Sequence, residues 1–145
     1  MSLIDQIFGT EASVLSGPSV LVVDDEAAHR ELTSARLEIA GFNVYGVADG
    51  YEALKLIKEK KFDAAVVDTE MDKMFGYEFC SAARESPSGK RLAILGISGN
   101  LDFVDYKVKW KEADADLVLD KMEINRCPYI LEKGIYSAID SRKRI

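Results

Sequence analysis

The feature that most constrains this chain is an alternation. Short runs rich in β-branched and aliphatic residues are separated by longer stretches with helical periodicity. The strand-like runs are 19–24 (SVLVVD), 43–47 (NVYGV), 62–68 (FDAAVVD), 92–97 (LAILGI) and 117–120 (LVLD). Several are almost continuously apolar, as strands covered on both faces must be. Between them, helices are predicted over 27–40, 50–60, 76–85, 102–112 and 125–140. Gly41 fits the C′ position that closes the first. Asn125 fits an N-cap for the last, with Pro128 tolerated in its first turn. Strand and helix in strict alternation imply βαβ units and a parallel sheet. The predicted class is α/β: a doubly wound (βα)5 flavodoxin-like sandwich with a five-stranded parallel sheet.

Length agrees with this. The 145 residues make one domain of ordinary size. Residues 1–18 fall outside the alternation and read as an N-terminal extension or linker, leaving 19–145 as the domain. Within the extension, Leu3, Ile4, Ile7 and Phe8 have the spacing of a short amphipathic helix, and Gly17–Pro18 reads as a linker. No apolar run approaches the roughly 20 residues that span a bilayer. The start lacks the basic-then-apolar pattern of a secretory leader. The two cysteines, Cys80 and Cys127, do not form a disulfide framework. These features together predict a cytoplasmic protein with no membrane association.

Charge excludes one large class of partner. The net charge is −6, and residues 126–145 carry five basic and two acidic side chains, so the first 125 carry −9. A body this acidic is ill suited to phosphate backbones, so no direct nucleic-acid binding is expected. The single histidine, His29, rules out a His-rich metal site and reads as a helix-surface residue.

The chemistry collects at strand ends. In an open parallel sheet, ligands bind beyond the carboxyl ends of the strands. Asp24 and Asp25 end the first predicted strand, Asp68 the third, Ser98 the fourth and Lys121 the fifth. Each alone has an ordinary structural role: Asp24–Asp25–Glu26 as a helix cap, Asp68 and Ser98 as turn residues, Lys121 as a solvated cation. Five such residues at four strand ends of one sheet are not explained by independent turn chemistry. Crowded carboxylates need a compensating cation, and a hard divalent ion such as Mg2+ takes oxygen ligands. The set suits Mg2+ plus a phosphoryl group, with Ser98 and Lys121 facing the phosphoryl oxygens.

The motifs VLVVDDE (20–26), VVDTEMDKMFG (66–76), LGISGN (95–100) and ADLVLDK (115–121), in this order and at these separations, resemble the response-regulator receiver domain of two-component signalling. The resemblance covers residues 19 to about 140. It implies that Asp68 is the phosphoacceptor, that Asp25 binds Mg2+ directly and Asp24 through water, and that the backbone carbonyl of Glu70 is a further Mg2+ ligand. It implies that Ser98 is the switch hydroxyl with Gly99 the small residue after it, that Lys121 pairs with the phosphoryl group, and that Gly76 closes the loop after Asp68. The implied function is a Mg2+-dependent phosphorelay in which a partner histidine kinase, or a phosphotransfer protein, phosphorylates Asp68. The domain would then be a self-modifying phosphoacceptor that dephosphorylates itself, not an enzyme acting on a separate substrate. The alternatives are a receiver-like interaction module that is never phosphorylated, and a Mg2+-dependent phosphohydrolase with Glu70 as acid/base.

The chain departs from the family pattern in four places. Met71-Asp72 stands where Met-Pro is usual, and Phe75-Gly76 where Asp-Gly is usual. Met122, not proline, follows Lys121, which implies a differently shaped lysine loop. Val118 occupies the position of the usual switch aromatic, so a conformational signal is expected to run from Ser98 into the helix carrying Phe103, Tyr106 and Trp110. A homodimer is expected through 102–112, 117–121 and 125–140. In that last helix Cys127, Leu131, Ile135 and Ala138 would face the core, and Tyr129 and Tyr136 another side.

Overall fold

A computed structural model describes residues 17–99, 104–127 and 129–144. The strands are β1 (Ser19–Val23), β2 (Asn43–Val47), β3 (Ala64–Asp68), β4 (Ala93–Ser98) and β5 (Leu117–Asp120). The helices are α1 (Ala27–Ile39), α2 (Gly50–Glu59), α3 (Gly76–Ala83), α4 (Pro87–Arg91), α5 (Val104–Glu112), α6 (Lys121–Arg126) and α7 (Ile130–Lys143). All strand pairs are parallel, in the order β2-β1-β3-β4-β5. Helices cover both faces, so this is the flavodoxin-like α/β sandwich that the alternation implied. Among the described residues no helix is long and apolar enough to cross a membrane.

Period-two alternation divides each strand between two cores. Leu21, Val23, Ala65 and Val67 face a core completed by Ala53 and Ile57 of α2, Phe79 of α3 and Trp110 of α5. Val20, Val22, Ala64, Val66 and Leu95 face the other, completed by Leu37 of α1 and by Leu131, Ile135 and Ala138 of α7. The strand order reverses at β1, which pairs with both β2 and β3. That reversal opens the crevice between the ends of β1 and β3.

Gly41 does close α1. It takes φ +96°, its N–H donates to Glu38 O at 3.0 Å, and Phe42 N–H donates to Leu37 O at 3.0 Å. This is the paired arrangement of a Schellman turn. The helix predicted over 76–85 stops at Ala83, and a short capped turn follows: the Ser86 hydroxyl accepts from Gly89 N–H at 3.1 Å, with Pro87 in the first position.

The helix predicted over 125–140 is split: 130–140 lies in α7, but its predicted start does not hold. The chain turns helical as soon as β5 ends, because the Asp120 carboxylate accepts from Met122 N–H at 2.7 Å. A proline at 122 has no N–H to give. Asn125 therefore lies inside α6, not at an N-cap. The break falls two residues later. Cys127 is extended at φ −105°, ψ 108°, the conformation that a following proline enforces. Tyr129 then takes φ +67° and α7 begins. Cys127 is consequently exposed and does not join the buried stripe of Leu131, Ile135 and Ala138. Tyr129 and Tyr136 are exposed, as their spacing implied, with the Tyr136 ring 5.2 Å from that of Phe42. The expectations for residues 1–16, for 100–103 with Phe103, and for Pro128 lie outside the described residues.

Candidate functional site

Asp24 and Asp25 follow β1 directly, and Asp68 is the last residue of β3. One carboxylate oxygen from each lies within 4.8 Å of the others, a grouping able to hold a metal ion. Local hydrogen bonds fix the set. Asp24 Oδ1 accepts from Glu26 N–H at 3.0 Å. Asp25 Oδ2 accepts from Asp72 N–H at 2.9 Å, which ties the loop after β3 to the loop after β1. Residue 72 is thus a position where a backbone donor is used, and the aspartate there supplies it. Lys73, next along, sits at φ +73° and places its ammonium 3.3 Å from Asp49 Oδ2.

Lys121 completes the cluster, its Nζ 3.1 Å from Asp68 Oδ1. Ser98 is buried at the end of β4 and registers against Asp120, while Asp68 registers against Ile97. The sheet therefore brings Asp24, Asp25, Asp68, Ser98 and Lys121 to one edge, as predicted. Burial raises the Asp24 carboxyl above the ordinary range, more than the Glu26 N–H, Lys121 and His29 lower it. Burial likewise raises Asp68, opposed by Lys121 and reinforced by the Asp24 charge. A bound cation would relieve that desolvation, so the donor set fits Mg2+: hard oxygens only, crowded and short of positive charge.

Three features had no sequence signal. His29 is on the α1 surface as expected, but its Nδ1 lies 3.6 Å from Asp24 Oδ2, at the rim of the acid cluster. The Glu70 side chain turns toward α5, where Oε1 accepts from the Tyr106 hydroxyl at 3.1 Å. Thr69 is clamped behind Asp68: its hydroxyl donates to Ile97 O at 2.8 Å and accepts from the Trp110 indole N–H at 2.9 Å. A helix-surface period offers no way to see that Trp110 is fully buried against the strand ends. The space it fills is left by glycines. A Cβ at Gly76 would meet the Asp68 carbonyl and the indole, and a Cβ at Gly96 would fall on the indole ring. Gly76 N–H also donates to Thr69 O at 2.8 Å, closing the loop after Asp68.

A parallel sheet with an acid crevice at its switch point and a lysine directly after the last strand defines a class, and comparison with known proteins gives the same one. The pattern of the response regulator receiver domain matches residues 20–126. The response regulator MprA of Mycobacterium sp. (strain KMS) is 37% identical over 114 residues, covering 79% of this chain and 46% of that protein. The chain spans about half the length of the curated relatives it matches. Among solved structures, a CheY-like receiver domain protein from Methanospirillum hungatei JF-1 superposes with a TM-score of 0.75 at 26% identity, covering 88% of this chain and 97% of that one. The receiver domain of the sensor histidine kinase PA1611 from Pseudomonas aeruginosa PAO1, solved with magnesium in its active-site cleft, gives a TM-score of 0.70 at 26% identity, covering 83% and 98%. The chain belongs to the response regulator receiver domain family.

Proposed function

We propose that this receiver is a phosphoacceptor whose nucleophile is Asp68. An oxygen of the Asp68 carboxylate attacks phosphorus, either of a phosphohistidine on a partner kinase or phosphotransfer protein, or of a small acyl phosphate. A P–O bond to Asp68 forms, the P–N or P–O bond to the donor breaks, and its electron pair leaves with the donor imidazole or carboxylate. The observation that carries this reading is the Lys121 ammonium 3.1 Å from the carboxylate that becomes an acyl phosphate. There it offsets charge on the transferred group, the main task in phosphoryl transfer. The Ser98 hydroxyl donates to a second phosphoryl oxygen. Asp24, Asp25 and Asp68, with the Glu70 carbonyl, would hold Mg2+, which when bound supplies Lewis-acid stabilisation of the same oxygens. Water later cleaves the acyl phosphate, releasing inorganic phosphate and restoring the Asp68 carboxylate.

The test is phosphate incorporation from acetyl phosphate, with and without Mg2+, in wild type and Asp68→Asn. Incorporation that needs both Mg2+ and Asp68 supports the reading. Stable labelling of the variant at wild-type stoichiometry overturns it. Absence of label on a folded wild type under all conditions, from a cognate kinase included, favours the interaction module instead. A second copy is proposed to pair through α5, β5 and the α6–α7 segment, where Val108, Met122 and Tyr129 are exposed. Unchanged sedimentation on phosphorylation would refute that pairing.

A further inference from the structure

Beside the acid cluster lies a cavity of about 320 Å³, inside the size range of small-molecule sites. Val22, Val66 and Ile97 line it from the sheet, Leu32 from α1, Ile124 from α6 and Leu131 from α7. Asp24, Asp68 and Lys121 line it too, so the apolar space is continuous with the carboxylates. The break at Cys127–Tyr129 shapes it, because Ile124 and Leu131 reach it from two separate helices. Arg36 holds those helices against α1: its guanidinium donates to Ile124 O at 2.9 Å and to Glu132 Oε1 at 2.9 Å. That cation is therefore engaged away from the acid cluster, and Lys121 is engaged with Asp68. Two carboxylates, with Asp25 adjoining, face one ammonium. The polar end, where His29 also borders Asp24, carries two carboxylates to one ammonium, and the rest of the lining is mostly aliphatic, interrupted by Thr33 and Asn125.

We propose that this cavity binds a small amphipathic cation: a primary amine or amidine on an apolar body of roughly ten heavy atoms, from about 30 Å³ per water-sized group. The charged head sits against Asp24 and Asp68, and the body lies between Leu32, Ile124 and Leu131. A divalent ion can satisfy the same carboxylates but leaves the hydrocarbon half unfilled. The two ligands therefore compete, and an occupied cavity holds the domain unphosphorylated. Only this last consequence rests on Asp68 being the phosphoacceptor; binding does not.

The probe is 2-phenylethylamine, titrated into the unphosphorylated chain while methyl resonances are followed by NMR. The expected result is saturable shifts at Val22, Val66, Ile124 and Leu131. Phenylacetate and 2-phenylethanol should bind at least tenfold more weakly, and Mg2+ should raise the apparent Kd of the amine in proportion to its concentration. Thr33→Phe, which fills the cavity from α1, should weaken binding at least tenfold. Asn125→Phe, which fills it from α6, should do the same if the first variant misfolds. Absent shifts at millimolar amine, equal binding of phenylacetate, or indifference to Mg2+ or to both filling variants each overturn the proposal. So do the same shifts on raising protein concentration alone, which would show a second copy seated there. A further arm measures labelling from acetyl phosphate with the amine present. If Asp68 is never labelled, the phosphoacceptor reading fails while the binding result stands.

Discussion

Replacing Trp110 with phenylalanine tests how the site is supported from behind. The indole is fully buried and donates to the Thr69 hydroxyl at 2.9 Å. Losing that bond costs about 1 kcal/mol net. Thr69 keeps its own bond to Ile97 O, so no buried donor is stranded. Losing the pyrrole ring costs about 2 kcal/mol, at about 0.8 kcal/mol per buried carbon-sized group plus the residual void. W110F should therefore destabilise by about 3 kcal/mol, which lowers Tm by roughly 6–12 °C for a domain of this size. The assay is urea unfolding followed by circular dichroism, since the only tryptophan is removed. A double-mutant cycle sharpens it. G96A alone places a methyl on the indole and should cost about 1–3 kcal/mol. In the W110F background the methyl enters vacated space, so the double variant should be at least about 1 kcal/mol more stable than the sum of the singles. Strict additivity, or a W110F cost below about 0.5 kcal/mol, would refute the packing argument.

Acid stability should report the crowded carboxylates. Asp24 and Asp68 both have raised folded values against 3.8 unfolded, so the folded state holds protons to higher pH. The stability they contribute is fully present below 3.8 and is lost as pH rises through the raised values. Metal-free protein should then gain stability as pH is lowered through the raised values toward 3.8. D68N should show a smaller gain and a higher stability at pH 7, and equal pH slopes in urea titrations would contradict this. Asp120→Ala removes the cap of α6 and should cost about 1 kcal/mol, while Asp120→Asn should be near neutral by the same unfolding assay. A disulfide thiol reagent at neutral pH should titrate one thiol quickly, the exposed Cys127. Cys80 is buried, with its thiol pushed up to about 12, and should react only after unfolding; two fast equivalents would show that α3 opens readily.

The parts of this molecule that local rules govern were legible. Strand alternation, the Gly41 cap and strand-end acids each depend on residues close in sequence, and the parallel sheet converts strand ends into one crevice. The parts that failed depend on contacts between distant residues or on competition between two local rules. Asn125 and Pro128 are valid helix-start residues, yet Asp120 starts a helix sooner, because Met122 has an N–H to offer it. Trp110 lies on a helix whose exposed neighbours hide its burial, since its socket is made by Gly76 and Gly96 from other elements. His29 reads as a surface residue and is one, but only the fold shows that this surface borders Asp24.

Trapping the acyl phosphate tests the phosphoacceptor assignment most directly. Protein incubated with acetyl phosphate and Mg2+, then reduced with borohydride, converts a phosphorylated aspartate to homoserine, which peptide mass spectrometry locates. The account predicts homoserine at position 68, with Asp24 and Asp25 unchanged, and none without Mg2+. Homoserine at another aspartate, or a labelled protein in which Asp68 remains aspartate, would contradict it.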